Sequence, residues 1–291
     1  MSNTKEVSII IPVLNQKDRI EACLTSILKQ QFDLNKVEII VIDNGSTDGT
    51  WEYISSQSVY VYKIESPKSP YICRNKGAEL ASGQSLLFLD ANIILPHSSW
   101  LTKLLAHGTQ EKQITVTKII PQILDMTITQ WCEIIAFFRY NQAARLGKNS
   151  LIVNLLVNKN TFFEIGLFEE TRSGGDTLWI KNALKQNYHL KLAPDLHVFY
   201  QPKKWSAYLK KMARIGYRNR KLLQGFSALN EYWKVIWSMR PPNPLEVYKL
   251  IKTESLHKQK ITWYLKVLFV MWFFRVYQRS VTLGILNPES D

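Results

Sequence analysis

Three short polar clusters carry the residue types that could grip a polar ligand: Pro12-Val13-Leu14-Asn15, Asp43-Asn44 and Asp90-Ala91-Asn92. Each follows directly on a short apolar run. Carboxylates and amides offer oxygens and N–H groups that read the polar edges of a ligand. The same residue types also build turns and cap helices, so any one cluster alone has both readings. Three in succession point further, because ligands of an open parallel sheet bind outside the carboxyl ends of its strands. There is no Gly-x-Gly-x-x-Gly and no Walker-type loop, which removes the main support for a dinucleotide-binding enzyme or a P-loop NTPase. Cys23, Cys73 and Cys132 are odd in number, far apart and free of C-x-x-C spacing. They argue for a reducing compartment and against a structural zinc site or a disulfide scaffold.

The elements that must position these clusters alternate two hydrophobic periods. Val7 to Pro12 is a short apolar run rich in β-branched residues and Val37 to Ile42 a second, largely apolar one, as expected of strands buried on both faces. Between them Ile20, Cys23, Leu24, Ile27 and Leu28 fall at helical spacing. After Asp43-Asn44-Gly45 a dense turn signal leads into a helix near Trp51 to Ile54, with Asp48 or Ser46 as its cap. A strand at 59–64, a helix at 70–82 and a strand at 85–89 complete the pattern. It predicts an α/β domain around a mainly parallel sheet. Farther on, a helix is expected over 127–147, a strand over 151–157 and a helix over 177–186. Two strand-like pieces follow, at 188–193 and 197–200. From Trp205 the pattern is helical, with a break at Arg240-Pro241-Pro242-Asn243-Pro244.

At 291 residues, 46% hydrophobic and 21% charged, the chain has the composition of an ordinary globular protein of one or two domains. Collagen and low-complexity disorder are excluded. The net charge of +13 is unevenly placed. Residues 200–291 hold 17 Lys and Arg against 5 Asp and Glu, a balance of +12, whereas residues 1–199 balance at +1. A near-neutral body is joined to a basic, aromatic tail. The N-terminus runs into a strand with no apolar signal region, so the chain is expected to start in the cytoplasm.

The residues from Val7 to Asn92 resemble the nucleotide-sugar domain of the family-2 glycosyltransferases, which have the GT-A fold. The matching pieces are Val7 to Pro12 with Asn15, Val41 to Thr50, Arg74-Asn75-Lys76-Gly77-Ala78 and Phe88-Leu89-Asp90-Ala91-Asn92. Asn154 and Phe163 to Glu170 resemble the acceptor half, and Gly174-Gly175-Asp176-Thr177-Leu178-Trp179 the segment with the catalytic base. The resemblance implies an inverting enzyme that moves a sugar from a nucleotide-sugar donor to an acceptor hydroxyl, in polysaccharide or glycolipid assembly. It implies nucleotide contacts by Pro12, Asn15, Asp43, Asn44, Arg74 and Asp90, with Asp176 as general base. It also implies a divalent cation, Mn²⁺ or Mg²⁺, near Asp90, Asn92 and His197. The domains expected are 1–200, divided into a nucleotide-binding half (1–95) and an acceptor half (96–200), and a helical region, 201–291.

Two features depart from the family pattern. The second acidic residue of an aspartate-x-aspartate motif is Asn92 here, a neutral and weaker ligand for a hard cation. The histidine expected near a strand end is either His197, which comes early, or is replaced by Tyr200-Gln201-Pro202. These departures keep two alternatives open: a non-catalytic nucleotide-sugar or carbohydrate-binding relative, and a nucleotidyltransferase. The basic tail has two readings of its own. The run from Ile261 to Phe274 contains Lys266 and is shorter than the roughly 20 residues that span a bilayer. It is either a helix packed on the protein or an in-plane anchor on the inner face of the cytoplasmic membrane, near a lipid-linked or glycan acceptor. A nucleic-acid partner is not expected, because no RNA- or DNA-binding module is recognisable.

Overall fold

Val7–Val13 (β1) and Val37–Asp43 (β2) are buried at every position, as their largely apolar character requires, and the buried Ser8 hydroxyl donates to the Glu38 carboxylate. They pair in parallel, Val7 with Val37 through Val13 with Asp43, so both strands end at the same edge of the sheet. The computed structural model describes residues 5–64, 69–108, 112–122, 126–171, 174–224, 229–253 and 261–288. Lys17–Leu28 (α1), Thr50–Ser55 (α2), Tyr60–Lys63 (β3), Pro70–Leu80 (α3) and Ser85–Leu89 (β4) follow in the predicted alternation. Helix α3 lies directly on β1: a Cβ at Gly77 would stand 2.4 Å from Ile10 Cγ2. Only glycine permits that approach.

The rest of the sheet is less regular than its beginning. Ile93–Ile94 (β5), Trp100–Ala106 (α4) and Gln113–Pro121 (β6) precede the long helix Ile128–Arg145 (α5). Asn154–Asn158 (β7), Lys159–Ile165 (α6), Gly175–Lys185 (α7) and His189–Tyr200 (β8) complete it. The eight strands form one sheet in the order β3-β2-β1-β4-β7-β6-β8-β5. Strand β7 runs antiparallel to β4 and β6, and β5 antiparallel to β8; the other pairs are parallel. The sheet is thus mixed, though mostly parallel. Phe88, Phe162, Phe168 and Trp179 pack together on it, with ring centroids 5.1–5.6 Å apart.

Three local expectations are corrected. The strand expected from Leu151 begins at Asn154, after a turn. There the Asn154 amide bonds both backbone groups of Thr117, at 3.1 and 3.3 Å. The two strand-like pieces at 188–193 and 197–200 are one strand, β8. Its pairing with β6 skips from Ala193 to His197, because Pro194 has no N–H to give the ladder. The apolar helix beginning at Ile261 continues to Leu283 (α11), well past Phe274.

The chain divides into two compact units, Met1–Gln122 with Tyr140–Gln201, and Ile123–Arg139 with Pro202–Asp291. The second unit contains Trp205–Gln224 (α8), Leu229–Trp237 (α9), Pro244–Thr253 (α10), α11 and the first part of α5. Val267, Phe274 and Val281 recur every seven residues along α11 and are buried, with Phe274 against Tyr208 of α8 at 4.6 Å. Leu265, Phe269, Trp272 and Phe273 of the same helix are exposed. The run is apolar all round because one stripe is core and another is surface. Glu133 of α5 is fully buried and accepts hydrogen bonds from Lys203 N (2.7 Å) and Lys211 Nζ (2.8 Å). Among the described residues no helix is long and apolar enough to cross a membrane.

Candidate active site

The carboxyl edge of the sheet gathers the polar clusters. Asn15, just past β1, adopts φ 49°, a left-handed turn that asparagine tolerates. Its N–H donates to Ser46 Oγ (2.9 Å) and its Oδ1 accepts from Thr47 N (2.8 Å), tying the loop after β1 to the loop after β2. Asn44 N donates to Val13 O across the same gap. Neither residue expected to cap α2 is its N-cap: that position is Gly49, at φ 85°, while Asp48, one residue earlier, accepts from Thr50 N at 3.1 Å and Ser46 is spent on Asn15. Pro12 lies within β1, opposite Ile42.

Asp43 does both things its sequence allows. Its Oδ2 accepts from Gly45 N (3.2 Å) and Ser46 N (3.0 Å), which is turn chemistry. Its Oδ1 is buried without a partner. Asp90 and Asn92 stand at the end of β4. Asp90 Oδ1 accepts from Arg74 Nη2 at 2.5 Å, a pair of which Arg74 is almost fully buried. Arg74 therefore answers a carboxylate, with its Nε left unpartnered. Asn92 is 3% exposed, and its Oδ1 also lacks a partner.

Asp176 lies in the first turn of α7, after Gly174 in the left-handed N-cap position. It is not the cap. Its Oδ1 accepts from Tyr71 Oη (3.1 Å) and from Thr177 N (2.9 Å). Burial, and next the Asp176 carboxylate, push the Tyr71 phenol above its ordinary value, so it stays a donor. A Cβ at Gly175 would stand 2.9 Å from Glu169 O and 3.0 Å from the Tyr71 ring. The glycine pair thus lets α7 begin against Tyr71. Tyr71 and Arg74 are three residues apart on α3 and share one face, with the guanidinium 5.3 Å from the Tyr71 ring centroid. One short helix consequently holds Asp90 by one side chain and Asp176 by the other. Asn75 of α3 is clamped to both backbone groups of Phe168, which fixes the segment leading to Asp176.

The donor set at this edge suits a cation only in part. Asp90 supplies a carboxylate and Asn92 a free amide oxygen, but His197 does not join them. Its ring packs edge-on to Phe199, and burial first, then its neighbours His97 and Lys118, hold its pKa below the ordinary histidine value. Gln201 N donates to Asn92 O (3.1 Å), so strand register brings Gln201 to Asn92 and leaves His197 four residues back, about 13 Å along the strand. No group of three or more His, Cys, Asp or Glu able to hold a metal is found among the described residues.

Seven buried side-chain polar atoms lack a hydrogen-bond partner among the described residues. All four in the first unit belong to this edge: Gln16 Oε1, Asp43 Oδ1, Arg74 Nε and Asn92 Oδ1. Each such atom costs about 1–3 kcal/mol, a cost natural proteins accept mainly where a ligand or water completes the site. Tyr71 and Gln16 were not legible as site residues. Tyr71 precedes Arg74 by one helical turn, the one local signal that could have found it.

The Glycosyl transferase family 2 profile matches residues 8–170. Glycosyltransferase AglE of Haloferax volcanii is 27% identical over 302 residues, 98% of each chain. UDP-Glc:alpha-D-GlcNAc-diphosphoundecaprenol beta-1,3-glucosyltransferase WfaP of Escherichia coli is 36% identical over 89 residues, 30% of this chain and 35% of that protein. Among solved structures, mannosyltransferase PcManGT of Pyrobaculum calidifontis, in complex with GDP-Man and Mn²⁺, superposes with a TM-score of 0.62. It is 15% identical, over 98% of this chain and 89% of that one. The fold is the GT-A fold expected from the sequence.

Proposed function

Because this chain is a glycosyltransferase belonging to glycosyl transferase family 2, we propose that its first unit transfers a sugar, with inversion, from a nucleoside diphosphate sugar to an acceptor hydroxyl. The observation that carries this reading is the double grip of α3, Arg74 on Asp90 and Tyr71 on Asp176. It couples the donor end of the site to the base through one rigid element. Residues 1–95 hold the nucleotide and residues 96–200 present the acceptor. Asp43, Asn44 and Asn15 read the nucleoside, beside Pro12. Binding of the diphosphate draws Arg74 from Asp90 toward phosphate oxygens, using the unpaired Nε.

The hydrogen bonds given to Asp176 fall on Oδ1, which leaves Oδ2 for the acceptor. Oδ2 takes the hydroxyl proton as the acceptor oxygen bonds to the anomeric carbon. The bond from that carbon to the diphosphate oxygen breaks in line, and its electron pair leaves with the nucleoside diphosphate. Asp90 and Asn92 would hold a Mn²⁺ or Mg²⁺ ion, which supplies positive charge to the departing diphosphate. Such a bound cation is named with the similar mannosyltransferase.

The acceptor is a lipid-linked or growing glycan, as the diphosphoundecaprenol in the WfaP name suggests. The second unit then works at the cytoplasmic face of a membrane. The +12 balance of residues 200–291 and the exposed Trp233, Trp237, Phe269 and Trp272 support that placement. The deciding experiment screens UDP- and GDP-sugars for transfer, with the product anomer read by NMR, in wild type and Asp176→Asn. The variant should bind donor as wild type does and turn over about 100-fold more slowly or worse. Transfer at the wild-type rate would remove Asp176 from the mechanism.

A further inference from the structure

The second unit repeats, at another place, the signature that marks the sheet edge. Two of its three unpartnered buried polar atoms are guanidinium nitrogens, Arg139 Nε and Arg279 Nε. Arg139, Arg240 and Arg275 line a cavity of about 570 Å³ together with Pro241, Asn243 and Glu246. Three arginines face one glutamate there, an excess of two positive charges. Glu246 Oε1 lies 3.2 Å from Arg139 Nε in an ion pair that misses hydrogen-bond geometry. Burial, and then the charges of Arg139 and Arg279, hold Arg275 below the usual arginine value. Like charges crowded in this way repel one another unless an anion joins them.

The seat is rigid. Arg275 Nη1 donates to Arg240 O (2.9 Å), and Trp272 Nε1 donates to Met239 O (2.8 Å), so α11 holds the turn ahead of Pro241-Pro242 from one side. The proline pair fixes the turn from the other. In the chain, exposed apolar side chains stand on either side of Arg240 to Asn243: Trp237 is 70% exposed and Leu245 68% exposed, three and five residues from Arg240. A seat with two excess positive charges and apolar neighbours is not what a soluble phosphate needs.

We propose that this cavity binds the phosphate or diphosphate group of a chain-bearing lipid, with the guanidinium groups on the anion and the Trp237–Leu245 rim on the first part of the hydrocarbon chain. Planar guanidinium groups suit phosphate oxygens bidentately, and the rim adds burial that salt does not screen. The inference rests on reading the second unit as the lipid-facing one, and it supplies that reading with named residues.

Calorimetry on the full chain with three probes tests it: inorganic pyrophosphate, geranylgeranyl diphosphate and geranylgeraniol. Geranylgeranyl diphosphate should bind about 10-fold tighter than pyrophosphate, and geranylgeraniol more weakly than geranylgeranyl diphosphate or not at all. Arg139→Gln with Arg240→Gln should weaken the diphosphate about 10-fold or more, the worth of one lost charge-assisted hydrogen bond. Arg240→Gln alone, at an exposed side chain, should show part of that loss in a protein of unchanged fold. Trp237→Ser should weaken the prenyl diphosphate and leave pyrophosphate unchanged.

Equal affinity for pyrophosphate and its prenyl form would overturn the lipid assignment in favour of free phosphate. Binding of geranylgeraniol as tight as the diphosphate, no binding of the diphosphate, or arginine variants that bind like wild type would overturn the site. So would binding of polyglutamate but of no phosphate compound, which would make it a seat for an acidic protein. UDP- and GDP-sugar binding measured on the same samples keeps the two proposals apart. A donor that fails to bind counts against the first unit's chemistry, and a prenyl diphosphate that fails counts against this cavity.

Discussion

Replacing Tyr71 by phenylalanine isolates one hydrogen bond in the proposed mechanism. The ring is 5% exposed, packs 6.0 Å from the Phe168 ring and lies under the Arg74 guanidinium, and phenylalanine keeps all of that. What disappears is the 3.1 Å bond from Tyr71 Oη to Asp176 Oδ1. A hydrogen bond to a charged group contributes about 1.5–3 kcal/mol, and Asp176, being partly exposed, recovers some of it from water. The net loss of stability should be about 1 kcal/mol, within reach of a denaturant titration.

The larger effect is on turnover. With Oδ1 held only by Thr177 N, the carboxylate can rotate, and Oδ2 spends less time facing the acceptor. A misplacement of that size should lower kcat about 10-fold, equivalent to about 1.4 kcal/mol of transition-state stabilisation. Donor KM should not change, because Tyr71 does not touch the nucleotide residues except through the face of Arg74. In a double-mutant cycle with Asp176→Asn the Tyr71→Phe effect on kcat should vanish, since an idle carboxylate needs no positioning. If Tyr71→Phe loses stability but keeps kcat, or if its effect persists in Asp176→Asn, Tyr71 is a packing residue and the coupling through α3 is wrong.

Asn92→Asp places a charged oxygen beside Asp90 and should tighten Mn²⁺ binding about 10-fold or more, read by calorimetry with and without nucleotide. Nucleotide binding that is identical in EDTA for wild type and variant would leave no cation at this edge. The buried Glu133 gives a pH dependence. Burial alone would raise its pKa, but Lys211 and Lys203 outweigh that and hold it below 4.5. Its contribution to stability is therefore complete above pH 4.5 and is lost as the pH falls through the lower, folded value. Glu133→Gln should lower stability at neutral pH by about 1–3 kcal/mol and flatten that acid limb, as followed by Tm against pH. An unchanged acid limb would assign the acid sensitivity to other carboxylates.

Much of the fold was legible because its first strands are buried on both faces and say so in short, largely apolar runs, Ile9 to Val13 and Ile39 to Ile42. Gln113–Pro121 was not legible, though it sits in the middle of the same sheet. Its Thr115 and Thr117 are buried, which a local reading takes as exposed polar positions. Thr117 is tolerated inside because Asn154, 37 residues later, satisfies its backbone. The site divides in the same way. Asp43, Asp90 and Asn92 could be named as candidates because strand ends are local features, and Asp176 because its segment resembles the family's. The partners of Arg74 and Asp176 could not: sixteen residues separate Arg74 from Asp90, and 105 separate Tyr71 from Asp176.

The departure at position 92 and the geometry at position 74 bear on each other. A second carboxylate beside Asp90 would give Arg74 two anions to choose between at the end of β4. With a neutral amide there, Asp90 alone takes the guanidinium, at 2.5 Å, and Asn92 keeps a free oxygen in a buried position. The end of β4 is left with one compensated ion pair rather than two carboxylates. Such a site has less call for a cation before the donor arrives and more once a diphosphate enters and displaces Arg74 from Asp90. Cation and nucleotide should therefore bind together more tightly than either alone, and Asn92→Asp should weaken that coupling by letting the cation bind first. The coupling is a ratio of two Mn²⁺ affinities, with and without nucleoside diphosphate. A ratio near one in the wild type would show that Arg74 and Asp90 stay paired when the donor binds.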